Sequence, residues 1–404
     1  MQLIHFYHRH HVHRFAKHPD FYFFELAIWL HTVARSFIAV FVPILLYKSG
    51  YSISNIILFY LIFNSIDVPL NFVADHLMRK IGARKVMILG TFATITFFVL
   101  LGILPPAHWP LLIVLAFLAA IYDTFFWVAH IYMFIEANRE VHDTGKTVSA
   151  LEGVRRLASV IGPLIGALIF ITMGKVSLVI ASVAIFTLSI IPLFKMRHVR
   201  DIPDKRKVSF REFFSSDREK KDYLSLSLWG VHNEVDGTLW PLFIFTLFGT
   251  VESVAIVPVI VSLSTILFSY IAGKLTKHYG TRMILVGSFI IACMWILRLT
   301  LQNTPLYYAT VFLVGIFSLL VAIPLDVNIT AGGLKISSLS ASTYRNATSM
   351  LLRIPLYGAL TLLVEVFKVS FGVAASSLFV IIFIILLINS KINMYKTTNS
   401  SSSN

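Results

Sequence analysis

ADHLMRKIGAR, residues 74–84, has a counterpart in the second half of the chain, AGKLTKHYGTR at residues 272–282. The two stretches share an alanine, a leucine, a basic position, a glycine and an arginine at the same spacing. A second related pair lies downstream of each, PLIGAL at 163–168 and PLYGAL at 355–360. Duplication of this kind inside an apolar chain is typical of transporters built from two membrane-embedded halves.

The composition places the protein in lipid. Of its 404 residues 57% are hydrophobic and 13% are charged, and the mean hydropathy is +0.80. Apolar runs of about 20 residues, the length that crosses a bilayer as a helix, recur along the chain with short polar breaks. The runs lack the alternation of barrel strands, so we predict an all-α membrane protein.

Twelve transmembrane helices in two homologous six-helix bundles account for the runs. The domains that we predict are a head at 1–20, an N-terminal half at 21–194, a linker at 195–222, a C-terminal half at 223–390 and a polar tail at 391–404. The predicted spans are 21–47, 53–75, 86–104, 110–135, 148–172, 175–194, 223–249, 252–275, 283–302, 305–330, 342–367 and 371–390.

The positive charge is concentrated in alternate loops. Lys and Arg gather at 79–85, 195–221 and 274–282, so the formal charge of +14 reflects a positive-inside pattern and not nucleic-acid binding. With an even number of spans, both termini are then cytoplasmic. We predict a multi-pass protein of the plasma membrane, of the bacterial type, without a cleavable signal. A single cysteine, Cys293, excludes an intramolecular disulfide.

The polar head and the polar linker each allow two interpretations. The head carries six histidines beside basic residues; a soft metal site and a basic arm on anionic headgroups stay open, and we predict the arm and no defined metal site. The linker holds ten basic and six acidic residues. Within it, Phe210, Phe213 and Phe214 predict a short helix on the cytoplasmic headgroups, or incidental aromatics on a solvated tether.

The basic loop after the second span resembles the signature of the major facilitator superfamily. Asp75 is followed by Arg79, Lys80, Gly82, Arg84 and Lys85, and the two-half plan with a long linker extends the resemblance over nearly the whole chain. The chain departs from the signature at Asn71, in a longer spacing from Asp75 to Gly82, and at Gly273 in the second copy. The resemblance implies that the acidic residue holds the halves together on the cytoplasmic side.

A cytoplasmic gate is therefore expected around Asp75. Its carboxylate can accept hydrogen bonds from free N–H groups near 340–343 and can pair with Arg345. A loop cap remains the alternative for Asp75, and interfacial anchoring remains the alternative for the acidic and basic residues that begin span 5. The gate candidates are Asp75, Arg79, Gly82, Arg84, Glu152, Arg155, Arg156, Gly280, Arg282 and Arg345.

Small residues and prolines mark spans 5 and 11. Gly162, Pro163 and Gly166 resemble part of the glycine- and proline-rich motif of drug/proton antiporters in the same superfamily, and Pro355 occupies the related position of span 11. These four residues are expected to bend their helices. Plain packing of small residues is an equal alternative. The arginine that such antiporters place in span 4 is absent, and Asp123 lies in that neighbourhood.

Eight ionisable residues inside the spans fall on spans 1, 4, 7 and 10, which line the central cavity in the superfamily that the chain resembles. Such groups cost several kcal/mol near a bilayer centre, so they mark a pathway unless they form a fixed ion-pair network. By depth, Arg35, Asp123, Glu234 and Asp236 come near the midplane. Asp67 on span 2 and Arg353 on span 11 are second-rank candidates that could serve gates. The substrate and coupling candidates are His31, Arg35, Asp123, His130, His232, Glu234, Asp236 and Asp326.

The function that these observations predict is secondary active transport of a small molecule by alternating access. Protons are the expected coupling ion, because a desolvated carboxylate can titrate near the working pH. We expect a monomer without a cofactor. Two alternatives stay open: an exporter or flippase of amphiphilic compounds, and a non-transporting membrane sensor or assembly factor. An enzyme is disfavoured because no HExxH, nucleophile elbow or P-loop motif is present.

Overall fold

The computed structural model describes residues 19–137, 144–196, 208–301 and 304–401; the side chains of 19, 21, 137, 144–160, 304, 389 and 391–401 are outside that description. Every regular element in these ranges is a helix. Eight helices there are long and apolar enough to cross a membrane. The prediction of an all-helical membrane fold is confirmed, whereas the full count of twelve spans stays a prediction.

The N-terminal half follows the predicted order. An irregular turn, the 3-10 helix Ala39–Phe41, interrupts the first span between α1 and α2. The helix α6 joins two predicted spans, and its chain direction changes at Gly174, whose φ of 82° is a left-handed value that favours glycine. The helices are α1 Pro19–Ile38, α2 Val42–Lys48, α3 Ile53–Ile81, α4 Ala83–Gly102, α5 Trp109–Ala137 and α6 Thr144–Lys195.

The C-terminal half repeats this plan after the short linker helix α7. A π-helical turn, Val235–Leu239, interrupts its first span between α8 and α9. Span 11 divides at Leu352, between α12 and α13. The helices are α7 Phe210–Phe213, α8 Asp217–Glu234, α9 Trp240–Phe248, α10 Val251–Thr300, α11 Thr304–Lys335, α12 Ser338–Leu351, α13 Arg353–Leu360 and α14 Val366–Ser401.

The long helix α10 doubles back on itself. Tyr308 Oη donates to the carbonyl oxygen of Ser253, and Arg298 Nε donates to Thr310 Oγ1 at 3.0 Å. Both ends of α10 therefore contact the first turns of α11. A straight helix would separate Ser253 from Arg298 by roughly 70 Å. The chain must turn between them, as the two spans predicted within this segment require.

The linker helix is present where the sequence predicts it, but part of it packs on protein. Phe213 is buried, and its ring centroid lies 4.8 Å from that of Tyr344 on α12 and 5.4 Å from that of Tyr223 on α8. Phe210 is exposed. The expectation of a helix resting on headgroups is therefore wrong for Phe213. The following helix also begins at Asp217, six residues before the predicted span.

The two halves contact each other at both ends of the bundle. At the end that carries the basic loops, here the basic end, the rings of Phe72 on α3 and Tyr344 on α12 lie 6.3 Å apart. At the opposite end, the rings of Tyr47 on α2 and Phe245 on α9 lie 6.0 Å apart. The halves therefore face each other along the region between these two contact zones.

Candidate functional site

Asp67 and Asp123 form an acidic pair on the interface side of the N-terminal half. Thr124 Oγ1 on α5 donates to Asp67 Oδ2 at 3.3 Å, and Asn71 Nδ2 donates to Asp67 Oδ1 at 3.1 Å. Both aspartates are buried and repel each other electrostatically. Asn346 Nδ2, on α12 of the other half, donates to Asp123 Oδ2 at 3.5 Å. A change of charge at Asp123 would therefore act directly on Asn346 of the other half.

Glu234 organises the facing side of the C-terminal half. Its carboxylate accepts a hydrogen bond from Arg353 Nη1 at 2.6 Å and another from the hydroxyl of Tyr357. The Tyr357 ring stacks on Tyr60 of α3 with centroids 5.4 Å apart. Pro355 explains the break at Leu352, because proline lacks the N–H that would continue the helix. That break places Arg353 at the start of α13, beside Glu234.

Asp236 lies on the π-helical turn and is held by a buried arginine. Arg298 Nη1 lies 3.2 Å from Asp236 Oδ1; the side chain of Arg298 is 0% exposed and that of Asp236 is 22% exposed. The guanidinium carbon sits 3.9 Å from the ring centroid of Trp240 and 4.2 Å from that of Trp295. Such π-helical insertions are frequent at functional sites.

The three predicted histidines pack among aromatic rings. His31 Nε2 lies 2.9 Å from Tyr122 Oη, and the His31 ring stacks on Phe126 with centroids 3.6 Å apart. His130 packs edge-on against Trp127. Trp295 Nε1 donates to His232 Nδ1 at 2.9 Å. All three histidines are buried within their own bundles, and their role as coupling candidates stays a prediction.

Arg35 is placed differently from the other intramembrane cations. It is exposed, it lies in the last turn of α1 just before the 3-10 turn, and its guanidinium carbon is 5.3 Å from the centroid of the Trp127 ring. Its charge also acts on Asp123. Because Asp123 contacts the opposite half, this face of α1 and α5 looks into the space between the halves.

At the basic end, the predicted gate residues form pairs other than the expected one. Arg79 Nε donates to Asp75 Oδ2 at 3.0 Å on the same helix, whereas Arg345 Nη2 lies 2.5 Å from Asp326 Oδ1. The expected pairing of Asp75 with Arg345 is therefore wrong, because Asp75 pairs with Arg79 and Arg345 pairs with Asp326. Asp75 still acts electrostatically on Tyr344 of the other half.

The structure also describes two glycines and two arginines among the predicted gate residues. Gly82 ends α3 with φ of 90°, a value that favours glycine, and Arg84 Nη1 donates to the carbonyl oxygen of Met196. Gly280 lies on α10 near Pro324, and Arg282 is exposed. The side chains of Glu152, Arg155 and Arg156, like the histidine-rich head, lie outside the described residues, so their roles stay predictions.

Asp222 is a buried carboxyl at the basic end, just before the predicted span 223–249. Burial raises the pKa of Asp222 above its ordinary value, and the neighbouring cations Lys221 and Arg218 partly oppose this rise. Asn328 Nδ2 of α11 donates to Asp222 Oδ1 at 3.3 Å. Asp222 thereby ties the start of α8 to α11 within the C-terminal half.

We expect Asp75→Asn to loosen the basic end. Asp75 and Arg79 are partly buried, with side chains 14% and 19% exposed, and their pair lies beside Tyr344. If the Asp75 charge, which acts on Tyr344 of the other half, contributes about 1 kcal/mol to closure of this end, its removal would favour opening roughly fivefold. The measurement is the alkylation rate of Ser342→Cys, a buried α12 position, by a water-soluble maleimide in a Cys293→Ser background.

The matched control for this experiment is Asp217→Asn, which removes a surface pair with Lys220 whose side chains are more than half exposed. Its alkylation rate should equal that of the parent. An Asp75→Asn rate that also equals the parent rate would contradict a gating role for Asp75.

Gly162 and Gly166 lie where α6 passes over α1. A Cβ on Gly162 would come 1.8 Å from Ser36 Oγ, and one on Gly166 would come 2.0 Å from the carbonyl oxygen of Phe37. The helix continues through the buried Pro163, and its one described non-helical residue is Gly174. These glycines therefore allow close helix contact, which was the alternative to a bend.

Several groups of this site carry no signal in the sequence. Tyr60, Tyr357, Thr124 and Asn346 are ordinary in apolar helices, and only their contacts reveal them. Arg298 could have been found, because it is a charge within a predicted span. Arg298 lies on span 9, however, and the candidate residues were limited to the spans that line the cavity in the family that the chain resembles.

The described residues contain no group of three or more His, Cys, Asp or Glu side chains that could hold a metal ion. The interface holds buried acids, with Arg353 beside Glu234, and Asn346 and Tyr60 link these acids across the two helical bundles. Fold and site together define a multi-pass membrane transporter of small molecules.

Comparison with known proteins identifies the family. The model of the Major Facilitator Superfamily matches residues 25–231, and the chain belongs to that superfamily. Its members are transporters, so the chain is not an enzyme. No curated protein sequence matches the chain significantly.

Solved structures share the fold at low sequence identity. A bacterial homologue of the iron transporter ferroportin, in an outward-facing state, has a TM-score of 0.64 at 12% identity, covering 91% of this chain and 98% of that one. The E. coli fucose:proton symporter has a TM-score of 0.61 at 12% identity and the same coverages. The human organic anion transporter TETRAN has a TM-score of 0.62 at 10% identity, with 90% and 98% covered.

Proposed function

We propose that this secondary transporter is proton-coupled and works by alternating access, with Asp123 and Glu234 as the coupling carboxylates. The observation that carries the proposal is the contact of Asp123 with Asn346, a hydrogen bond between a buried acid of one half and an amide of the other. Glu234 faces it from the C-terminal half and acts on it electrostatically.

Protonation of these carboxylates changes what holds the halves together. A neutral Asp123 loses most of its attraction to Arg35 and Arg353, and a neutral Glu234 loses its ion pair with Arg353. The ring stack of Tyr60 on Tyr357 is coupled to the same step, because the hydroxyl of Tyr357 donates to Glu234. Proton binding therefore alters contacts across the interface, as a coupled rocking motion requires.

The test is gradient-driven uptake into proteoliposomes. Four labelled probes represent four chemical classes: benzenesulfonate, glucose, alanine and tetraethylammonium. We expect an imposed pH gradient to drive accumulation of at least one. Asp123→Asn and Glu234→Gln should abolish that accumulation and leave exchange partly intact, because the binding groups stay while the titrating group is removed.

Asp217→Asn serves as the control, since Asp217 pairs at the surface with Lys220. Unaltered pH-driven uptake in both interface variants would reject proton coupling through these residues. Probe binding without flux would instead favour a membrane sensor, and flux in the extruding direction alone would favour an exporter or flippase.

A further inference from the structure

Four arginines lie within the predicted spans of the part of the chain that the structure describes. Three of them have a carboxylate: Arg298 pairs with Asp236, Arg345 with Asp326, and Arg353 with Glu234. Arg35 has no ion pair, and its described partner is the face of the Trp127 ring. A charged residue within a membrane span is costly unless it pairs with an opposite charge or faces a cavity, so an exposed arginine without an ion pair marks a place where an anion can bind.

The position of Arg35 in the repeat adds a second, independent reason. It precedes the 3-10 turn Ala39–Phe41 in the first span of its half, whereas Asp236 lies on the π-helical turn Val235–Leu239 in the first span of the other half. Interrupted helices in corresponding positions of two halves are the best structural indication of a transporter's binding site. At the π-helical turn, Asp236 is already paired with Arg298, whereas Arg35, just before the 3-10 turn, has no ion pair among the described residues.

We propose that the cargo is an organic anion with a flat apolar body, and that Arg35 binds its anionic group. The inference rests on the proposed transport function, since it names the class of cargo. A guanidinium offers a planar fork of donors that suits carboxylate and sulfonate groups. The half-buried Trp127 and Tyr122 supply a flat surface beside that fork.

Asp123 competes with the cargo for Arg35. Its charge acts on Arg35, but its described hydrogen-bond donor is Asn346, and it is also attracted to Arg353 and repelled by Asp67 and Glu234. Arg35 therefore keeps its donors for a ligand. Removing the Asp123 charge should strengthen anion binding, whereas removing the Arg35 charge should weaken it.

Equilibrium binding to the purified full-length protein tests the proposal. The probes are naphthalene-2-sulfonate, its neutral isostere naphthalene-2-sulfonamide, and the cation 2-naphthylmethylamine. We expect the sulfonate to bind most tightly. Arg35→Gln should weaken sulfonate binding by about 10- to 100-fold and abolish its advantage over the sulfonamide, because a charge-assisted hydrogen bond is lost. Arg35→Lys should retain part of the advantage, and Asp123→Asn should bind the sulfonate at least as tightly as the parent.

Arg211→Gln is the matched control, an exposed arginine of the linker helix that should leave binding unchanged. Preference for the sulfonamide or the amine, failure of every sulfonate titration at millimolar concentration, or an unchanged preference in a folded Arg35→Gln variant would each overturn the proposal. Because binding needs no gradient, anion binding that survives a failed pH-driven uptake would reject proton coupling and leave the cargo class standing.

Discussion

Asp236→Ala is expected to lower the free energy of unfolding by about 3–5 kcal/mol, because it strands a buried guanidinium without its counter-ion. Arg298 is fully buried between Trp240 and Trp295, and Asp236 is the carboxylate with which it pairs. After the substitution, Thr310 and two ring faces would remain as its described partners. Ring faces offset only part of the lost charge interaction.

Unfolding of the purified protein in detergent, followed by heat or denaturant, measures this effect. Asp326→Ala is the comparison, since its partner Arg345 is 27% exposed and can be solvated; its loss should cost about 1 kcal/mol or less. The double variant Asp236→Ala/Arg298→Met should regain much of the stability, because no buried charge is left. Equal losses in Asp236→Ala and Asp326→Ala would contradict the account.

Gly166→Ala is expected to destabilise the fold by at least about 2 kcal/mol, because the added methyl has no space. Its Cβ would come 2.0 Å from the carbonyl oxygen of Phe37 and 2.9 Å from the carbonyl carbon. These are backbone atoms of α1, so rotation of a side chain cannot relieve the clash. The two helices would have to separate along the length of their contact.

Gly372→Ala on α14 is the matched control, since no atom lies within 4 Å of a Cβ built there. It should be neutral or stabilising by up to about 1 kcal/mol, because alanine is the better helix former. The readouts are the yield of monodisperse protein and the unfolding midpoint. A Gly166→Ala protein as stable as the Gly372→Ala protein would show that α6 can move away from α1 without cost.

The intramembrane charges thus fall into groups with different tasks. Arg298 with Asp236 is a buried pair within one half, and its removal should be felt chiefly as instability. Asp123 with Asn346 crosses the interface, and its removal should be felt chiefly in coupling. Arg35 is attracted by Asp123 but forms no ion pair in the described part of the chain, which is why we assign it to the cargo.

The partners of these charges were predictable only in part. Asp123, Glu234 and Asp236 were found because a charge in an apolar run is conspicuous and costly. The expected pairing of Asp75 with Arg345 failed because Arg79 lies one turn away on the same helix and Asp326 lies beside Arg345. Spacing along a chain limits which residues share a face, but the pairing depends on neighbouring helices.

The linker shows the same limit. Its three phenylalanines predict a short amphipathic helix, and that helix is present. An amphipathic face does not specify what covers it, since lipid headgroups and an aromatic pocket are both suitable. Phe213 is buried against Tyr223 and Tyr344, two residues that its own sequence neighbourhood does not reveal.

The duplicated loop and the apolar runs were sufficient to predict the all-helical membrane fold, and the resemblance of the basic loop to a known signature predicted the family. The reason is that lipid requires every span to satisfy its own backbone hydrogen bonds and makes each buried charge conspicuous. Only the tertiary structure decided which of these charges form ion pairs and that Arg35 forms none within the ranges that the structure describes. Ion pairs form between residues far apart in the chain, as Glu234 and Arg353 do, and their geometry depends on how the bundles pack.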